Sequence, residues 1–572
     1  MEIALAQQKR HPRPVVRRHP VVELVWHTRA ISICQNNPNW KLISSTIQAN
    51  CSEENMDRRA SMETLAAHDE CRSRPRRSFL KNSVAFALMP VFHPGYVFGQ
   101  TASAVNYTIT IPDWVATLKS DLSTMAEILE CTVLPWSGPN LAATPEQFGY
   151  TVSSTPTQTT KCIQTAIDFV SAKGGGTVNL SNGDYVSGTI ILKDNVRLSI
   201  NDGARLIGST NPSDYLRLVP ITQTEMDTSY QQFYSIIYAE RATNIAITGG
   251  GIIDGQGEKY PRKNNDFGTT FRPFGIRIIE CNKVHVSKVT LINAASWMQL
   301  YLSCNNLLVE NITVSNISNI NNDGIDIDGC KSVIVRDCVI NSEDDGICFK
   351  GSAGGLLQNV LVRNCQSYSS TNALKIGTDT QGSFNNILVY NCTFGGPKTD
   401  RTLLYKELGL HYDTFDVKGG ISWESADGGS LSNILVSKCT INNALSPLFI
   451  GIGDRFRLMP GQEKPPVGSI RRIVFDQISG ENNGPNGSWF SGFKGKPITD
   501  VVLTNISLGV KAYTGKIPNA RGEIGTGYPD PGGNPVPAYG LWGRHITNLT
   551  LSNCNWKLTG TDPRPMIQIE AT

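Results

Sequence analysis

A short apolar motif returns along this chain every 23 to 27 residues between Val284 and Ile387, and it continues at longer intervals to Leu549. Its anchor positions are Val284, Leu307, Val333, Val360, Ile387, Ile434, Ile473, Val501 and Leu549. A repeat of this length is too short to bury its own core, so each unit must pack on the next. Because the units are rich in Val, Ile and Asn, the repeat predicts an all-β coiled solenoid.

Cysteine stands in this repeat where other units have Ile, Leu, Val or Phe. The chain has 14 cysteines, of which eleven follow Ala104. Eight of those eleven fall three residues before or five residues after an anchor: Cys281, Cys304, Cys330, Cys338, Cys365, Cys392, Cys439 and Cys554. A cysteine that interchanges with aliphatic residues behaves as a small buried hydrophobe. We therefore predict stacked free thiols rather than disulfides, and no cysteine spacing resembles a zinc site.

The first 104 residues differ from the rest in charge and pattern. They hold 14 Lys and Arg against 8 Asp and Glu, which leaves 38 and 41 for the remainder. Residues 1–61 have no apolar period and are predicted to be disordered or to precede the true start. Within residues 62–104, Arg76-Arg77, an apolar stretch and Ala102-Ser103-Ala104 resemble a twin-arginine export signal with its cleavage site. The sequence thus predicts export to the periplasm or the outside of a bacterial cell.

The weakly acidic remainder has no basic field to attract nucleic acid and no apolar run long enough for a membrane span. We expect a monomer. Residues 105–147 are interpreted as a leader that packs on the first coil, and residues 148–572 as the solenoid. Thr160 to Lys173 shows helical spacing and predicts a short N-terminal capping helix, which would hide the open edge of the sheet.

Two acidic segments lie about one repeat apart. Asp323, within Asn321-Asn322-Asp323-Gly324-Ile325-Asp326, is followed 21 residues later by Asp344 and then by Asp345. Residues one repeat apart sit side by side on neighbouring coils, about 4.8 Å apart. Like charges that close raise each other's pKa, which lets a general acid and a general base share one site. The alternative is that these Asp and Asn residues only form turns.

From about Phe148 onward the chain resembles glycoside hydrolase family 28, the polygalacturonases and rhamnogalacturonases of the pectin lyase-like superfamily. The resemblance lies in Gly249–Gly257, Ala295-Ser296-Trp297, the Asn-Asn-Asp-Gly-Ile-Asp segment and Glu343–Lys350. It implies a single right-handed parallel β-helix. It also implies that Asp344 protonates the leaving oxygen, that Asp323 and Asp345 hold and deprotonate the attacking water, and that the anomeric carbon is inverted. Simple stacking alone would place the carboxylates nearer the spacing of retaining enzymes.

The chain departs from this family at two motifs. The family's Gly-His-Gly falls on Ser370-Thr371-Asn372, and its Arg-Ile-Lys, which grips the galacturonate carboxylate, falls on Ser422-Trp423-Glu424. Besides Asn321, the residues proposed to bind substrate are Lys350, Lys375, Trp423 and Glu424. The lysines either bind a uronate or neutralise the aspartates, and strand alternation points Lys375 outward. Trp423 is either a sugar-stacking platform or core packing, and Glu424 either contacts sugar or is an ordinary turn residue.

The sequence therefore predicts an exported glycosidase acting on pectic or related acidic polysaccharides and oligosaccharides, with neither metal nor cofactor. Rhamnogalacturonan-type or exo-acting hydrolysis is a close alternative. A polysaccharide lyase, which needs calcium-binding carboxylates and a basic residue that abstracts a proton, remains a second class. A non-catalytic carbohydrate-binding β-helix is a third.

Overall fold

The computed structural model describes residues 107–224, 227, 232–261, 271–398, 416–457, 463–520, 531 and 533–570. The predicted disordered extension and the Arg76-Arg77 export signal lie outside the described residues. The described chain is a right-handed parallel β-helix made of two long sheets, here called sheet A and sheet B. Neighbouring coils pair in parallel, and the chain crosses from one sheet to the other within each coil.

Within the described residues, sheet A has 22 strands and sheet B has 12. The strands of sheet A are Tyr107–Thr108, Ala142–Ala143, Gly176–Leu180, Gly183–Ser187, Val196–Ile200, Ala204–Gly208, Thr243–Thr248, Ile252–Asp254, Asn282–Ser287, Thr290–Ile292, Asn305–Glu310, Thr313–Asn316, Lys331–Arg336, Val339–Ser342, Leu356–Arg363, Gln366–Tyr368, Ser383–Tyr390, Thr393–Gly395, Ser430–Asn442, Ser469–Asn483, Ile498–Lys511 and Ile546–Thr559. The strands of sheet B are Ile190–Ile191, Ser235–Glu240, Phe274–Ile279, Gln299–Leu302, Ile325–Asp328, Ile347–Gly351, Asn372–Thr380, Val417–Ser425, Ala444–Ile452, Ser488–Ser491, Leu541–Arg544 and Ile567–Ile569.

The predicted repeat is confirmed as one column of the core. Register pairs each anchor residue with the next, from Val284 through Val360 to Leu549. The anchors are fully or almost fully buried in the main hydrophobic core. Asn recurs because the residue before each anchor adopts a left-handed backbone, as at Asn306, Asn359 and Asn386. Asn tolerates this conformation better than most residues.

The eleven cysteines in the described part of the chain are free thiols, as predicted. The eight cysteines that stand three residues before or five residues after an anchor are buried, except Cys554, which is half-buried. Burial raises the pKa of the Cys281 and Cys338 thiols, so these groups stay protonated and unreactive.

The capping helix spans Pro156–Ala172, earlier than Thr160, because Thr155 and Gln158 form a capping box and Pro156 occupies the first turn. Its Ile163, Ala166, Ile167 and Val170 are buried in the core at the end of the solenoid. The described residues also form four short 3₁₀ helices, at Pro145–Phe148, Pro212–Asp214, Gly257–Lys259 and Ser352–Gly354, and one longer helix, at Trp114–Thr132. No helix among the described residues is long and apolar enough to cross a membrane.

The leader packs on the first coil at its C-terminal end only, and its remainder contacts later coils. Its strand Tyr107–Thr108 pairs with Ile546–Thr559 of the last coil, while Ala142–Ala143 pairs with Gly176–Leu180 near the first. Between them, a helix at Trp114–Thr132 lies on the outer face of sheet A. It buries an outward column of seven apolar residues: Leu308, Ile334, Leu361, Leu388, Leu435, Val474 and Val502. The leader is therefore a strap along the solenoid.

Candidate active site

The predicted acidic residues meet at the start of two neighbouring strands of sheet B. In Ile325–Asp328 the isoleucines point into the core, so Asp326 and Asp328 point outward. The preceding turns stack closely, since Gly324 N donates to Asp345 O at 2.9 Å. A Cβ on Gly324 would lie 2.6 Å from Gly346 O, so only glycine permits this approach. This places Asp323 beside Asp344 and Asp345.

Asp345 is held as the carboxylate. Lys375 Nζ lies 2.9 Å from its Oδ2, and Asn372 Nδ2 donates to its Oδ1 at 2.8 Å. Burial opposes the charged form, but the nearby Lys375 and Lys350 outweigh it and hold the pKa of Asp345 below its ordinary value. Ser422 Oγ donates to Asn372 Oδ1 at 2.8 Å, which turns the amide nitrogen of Asn372 toward Asp345.

The pKa of Asp344 is displaced in the opposite direction from that of Asp345. Burial and the charge of Asp345 raise the pKa of Asp344 above its ordinary value. Its side chain remains partly exposed, whereas Asp345 is buried. Thr371 Oγ1 lies 2.8 Å from Asp344 Oδ1 and 3.1 Å from Asp345 Oδ1, so one hydroxyl bridges the two carboxyl groups. Two adjacent acids thus favour different protonation states.

Asp323 and Asp326 are both buried, and the pKa values of both are raised. Burial, together with the charges of Asp326 and Asp344, raises the pKa of Asp323 well above its ordinary value. Burial also raises the pKa of Asp326, to about 7, against the lowering effect of Lys350. Lys350 Nζ lies 3.3 Å from Asp326 Oδ1 and 4.5 Å from the ring centre of Trp297.

The structure brings Lys350, Lys375 and Asn321 to the acids. Both lysines face outward beside the carboxylates, as strand alternation predicts, while Phe349 and Ile376 lie in the core. Asn321 Nδ2 donates to Asp344 Oδ2 at 3.4 Å. Within the described residues, the ion pairs of both lysines favour the neutralising role over direct binding of a uronate.

Of the two interpretations of Trp423, core packing is confirmed and sugar stacking is wrong, while for Glu424 both the sugar contact and the turn are wrong. Trp423 pairs in register with Ile376 and Ile450, points inward and is fully buried in the core, so it cannot stack on a sugar. Glu424 faces outward but is fully buried, and a Cβ on Gly377 would lie 2.9 Å from its Oε2. It lies within the strand Val417–Ser425 and is not a turn residue.

Sequence reasoning did not assign Asp326, Thr371, Asn372 or Arg272 to the site. Asp326 is signalled by its alternation with Ile325 and Ile327. Arg272 is buried and donates to Asn321 Oδ1 at 3.2 Å, which directs the amide nitrogen of Asn321 to Asp344. Burial lowers the pKa of Arg272 to about 10. No local pattern indicates this contact, because the two residues are 49 positions apart.

The chain matches a family model and resembles several known proteins. The sequence model of the protein family "Glycosyl hydrolases family 28" matches residues 202–525 of this chain. A probable polygalacturonase of Vitis vinifera is 28% identical over 202 residues, which cover 34% of this chain and 41% of that protein. The matched segment therefore spans less than half of that relative.

Two solved structures share the fold. An exopolygalacturonase from Thermotoga maritima has a TM-score of 0.56 and 19% identity, covering 75% of this chain and 96% of its own. A family 28 exopolygalacturonase from Yersinia enterocolitica has a TM-score of 0.54 and 16% identity, covering 76% and 78% respectively.

Proposed function

The chain belongs to glycosyl hydrolases family 28, and on that ground we propose that it hydrolyses glycosidic bonds in pectic or related acidic polysaccharides and oligosaccharides. The relatives described as polygalacturonases and exopolygalacturonases support a polymer of galacturonate as substrate. The observation that carries the proposal is the adjacent pair Asp344 and Asp345, whose pKa values are displaced in opposite directions. A carboxyl that keeps its proton beside one that loses it is what acid–base hydrolysis requires.

In the proposed mechanism, Asp344 is the general acid. Its raised pKa keeps the proton available, and its partly exposed position lets the carboxyl reach the leaving glycosidic oxygen. Asp345 takes a proton from water, whose oxygen then bonds to the anomeric carbon as the leaving oxygen receives the proton of Asp344. The product has inverted configuration and no covalent enzyme intermediate forms.

The proposed roles of Asp323 and Asp345 differ. The raised pKa of Asp323 makes it a poor base at acidic pH, whereas Lys375 keeps Asp345 ionised. We therefore assign proton removal to Asp345 and positioning of the water to Asp323. This separates two roles that the family resemblance assigns jointly.

A rhamnogalacturonan-type substrate is a second candidate, which one specific observation supports. At the position of the family's arginine, Ser422 is fully buried and hydrogen-bonded to Asn372, so it offers no charge to a uronate. Lys418 is a partly exposed cation near the acids, and its charge offsets part of the rise that burial and Asp345 cause in the pKa of Asp344. A substrate with fewer carboxylates at the cleaved bond fits this arrangement as well as polygalacturonate does.

The test is a panel of purified polygalacturonate, rhamnogalacturonan and their oligosaccharides. We expect new reducing ends, no ultraviolet absorbance of an unsaturated uronate, and initial products of inverted configuration by proton NMR. Asp345→Asn should abolish activity while retaining the fold, which circular dichroism checks. Unsaturated products or activity that depends on added calcium would establish a lyase. Binding without turnover of any substrate would establish the carbohydrate-binding alternative.

Export remains a proposal that rests on the Arg76-Arg77 segment alone. Secretion of the full chain by a bacterial host, lost on replacing both arginines with lysine, is the expected result. Retention of the unaltered chain in the cytoplasm would refute it.

A further inference from the structure

The hydrolysis proposed above exchanges the protonation states of two reacting carboxyl groups. Asp344 begins a turnover with a proton and gives it to the leaving oxygen, while Asp345 begins ionised and takes a proton from water. After one turnover the proton is therefore on Asp345 and absent from Asp344. A second turnover requires the starting state, so one proton must leave Asp345 and one must reach Asp344.

The surroundings of Asp345 restrict how its proton can leave. Its side chain is 5% exposed. Lys375 Nζ lies 2.9 Å from Asp345 Oδ2, and Asn372 Nδ2 donates to Oδ1 at 2.8 Å. An ammonium group and an amide nitrogen are donors only, so neither accepts a proton from Asp345. The Cys348 thiol lies 3.8 Å from Oδ2, and its sulfur is a weak acceptor.

Thr371 is the partner of Asp345 that can both accept and donate, among the residues that the structure describes. Its Oγ1 lies 3.1 Å from Asp345 Oδ1 and 2.8 Å from Asp344 Oδ1. A hydroxyl carries one hydrogen and two lone pairs. Before hydrolysis, protonated Asp344 donates to Oγ1, and the hydroxyl hydrogen donates to ionised Asp345. After hydrolysis both hydrogen bonds can reverse, because the oxygen atoms are already in place.

The backbone around Thr371 fixes this geometry. Thr371 N donates to Ser369 Oγ at 2.9 Å, and the same Ser369 hydroxyl donates to the backbone oxygen of Asp344 at 2.5 Å. Gly419 N donates to Thr371 O at 2.8 Å. Thr371 is thus tied both to the turn that carries Asp344 and to the next coil, which keeps its hydroxyl between the two acids.

We propose that Thr371 is a proton relay that resets the acid pair after each turnover. Its action rests on the hydrolase function proposed above. In the reset, the O–H bond of Asp345 breaks as its proton bonds to Thr371 Oγ1, and the original hydroxyl proton of Thr371 moves to Asp344 Oδ1. The three groups together neither gain nor lose a proton, and the negative charge returns from Asp344 to Asp345.

The electrostatics of the site favour this direction of transfer. Burial and the charge of Asp345 raise the pKa of Asp344, whereas Lys375 and Lys350 hold the pKa of Asp345 below its ordinary value. A proton on Asp345 therefore moves to the more basic carboxylate when it moves to Asp344.

The test compares Thr371→Val, which keeps the branched shape without the hydroxyl, with Thr371→Ser, which keeps the hydroxyl. The reset follows bond cleavage, so its loss should lower kcat and spare kcat/KM, which reports the reaction of the free, already reset enzyme. With polygalacturonate oligosaccharides at the optimum pH of each protein, we expect Thr371→Val to lower kcat about 10–10²-fold. Rapid mixing should show a burst of one product per enzyme in this variant. Thr371→Ser should restore kcat and abolish the burst, and added imidazole should raise kcat of Thr371→Val by carrying the proton.

The matched control is Thr157→Val, because Thr157 Oγ1 donates to Asp214 Oδ1 at 2.7 Å on the surface. It should leave kcat and kcat/KM unchanged. Thr371→Ala also lacks the hydroxyl and should show the same burst, which keeps the test available if Thr371→Val does not fold by circular dichroism. Equal losses of kcat and kcat/KM without a burst, or an unaltered kcat, would overturn the relay and leave the hydrolase proposal standing. Absence of hydrolysis of every pectic substrate by the unaltered protein would overturn both.

Discussion

Replacing Lys375 with Met should move the acid limb of the pH–rate profile to higher pH. Met has nearly the length of Lys but no charge. The Lys375 and Asp345 side chains are 4% and 5% exposed, and their charged atoms lie 2.9 Å apart. Loss of the cation leaves a buried carboxylate whose desolvation is still opposed by Lys350 and by the hydrogen bonds from Asn372 and Thr371.

The size of the effect follows from the ion pair. An opposite charge at this distance lowers a carboxyl pKa by about 1–3 units, and each unit corresponds to about 1.4 kcal/mol. Asp345 must be ionised to accept a proton, and its depressed pKa keeps it ionised to low pH. Between the pKa of Asp345 in the unaltered protein and its raised pKa in the variant, the activity of the variant should fall about 10-fold for each unit that the pH is lowered. Above the raised pKa the variant should regain its activity.

The assay is kcat/KM against pH, which reports the free enzyme. Lys193→Met is the matched control, because Lys193 pairs with Asp168 at 2.7 Å on the surface with both side chains about half exposed. It should leave both the profile and stability nearly unchanged. Circular dichroism must show that the Lys375 variant is folded, since breaking a buried pair costs about 3–5 kcal/mol. An unmoved acid limb with KM raised equally at every pH would refute the reasoning and make Lys375 a substrate ligand.

Four further outcomes are expected. Leu122→Ala, on the buried face of the helix Trp114–Thr132, should lower the free energy of unfolding by about 2–5 kcal/mol, whereas Ile128→Ala, 40% exposed on the same helix, should cost under about 1 kcal/mol in denaturant titration. Asp344→Asn should slow hydrolysis about 10²–10⁴-fold for a substrate whose leaving group needs protonation, and less for an activated one; equal losses contradict an acid role. Thiol titration of the denatured, unreduced protein should find the described cysteines free; disulfides would contradict their burial as thiols. A chain starting at Val105 should melt cooperatively and keep activity; an insoluble product with a stable full chain would refute that boundary.

The helix of the strap marks the limit of what the local sequence pattern could predict. The residue after each anchor faces outward on its strand, yet it is apolar in seven consecutive coils from Leu308 to Val502. An outward apolar column predicts that something covers it, but the column does not say what. The helix Trp114–Thr132 is separated from it by hundreds of residues, so only the assembled fold identifies the partner.

The position of the acids and the composition of the core could be predicted from the sequence, because both follow from short repeats in it. Return after one coil places Asp323 beside Asp344 and Asp345, and alternation along a strand places the core residues; both are local properties of the sequence. The same alternation, carried through the register from Ile376, also puts Trp423 inside. Which of the acids keeps its proton could not be predicted from the sequence. It depends on Lys375, Thr371 and Asn372 from the next coil, because electrostatic fields depend on distances and burial that only tertiary packing creates.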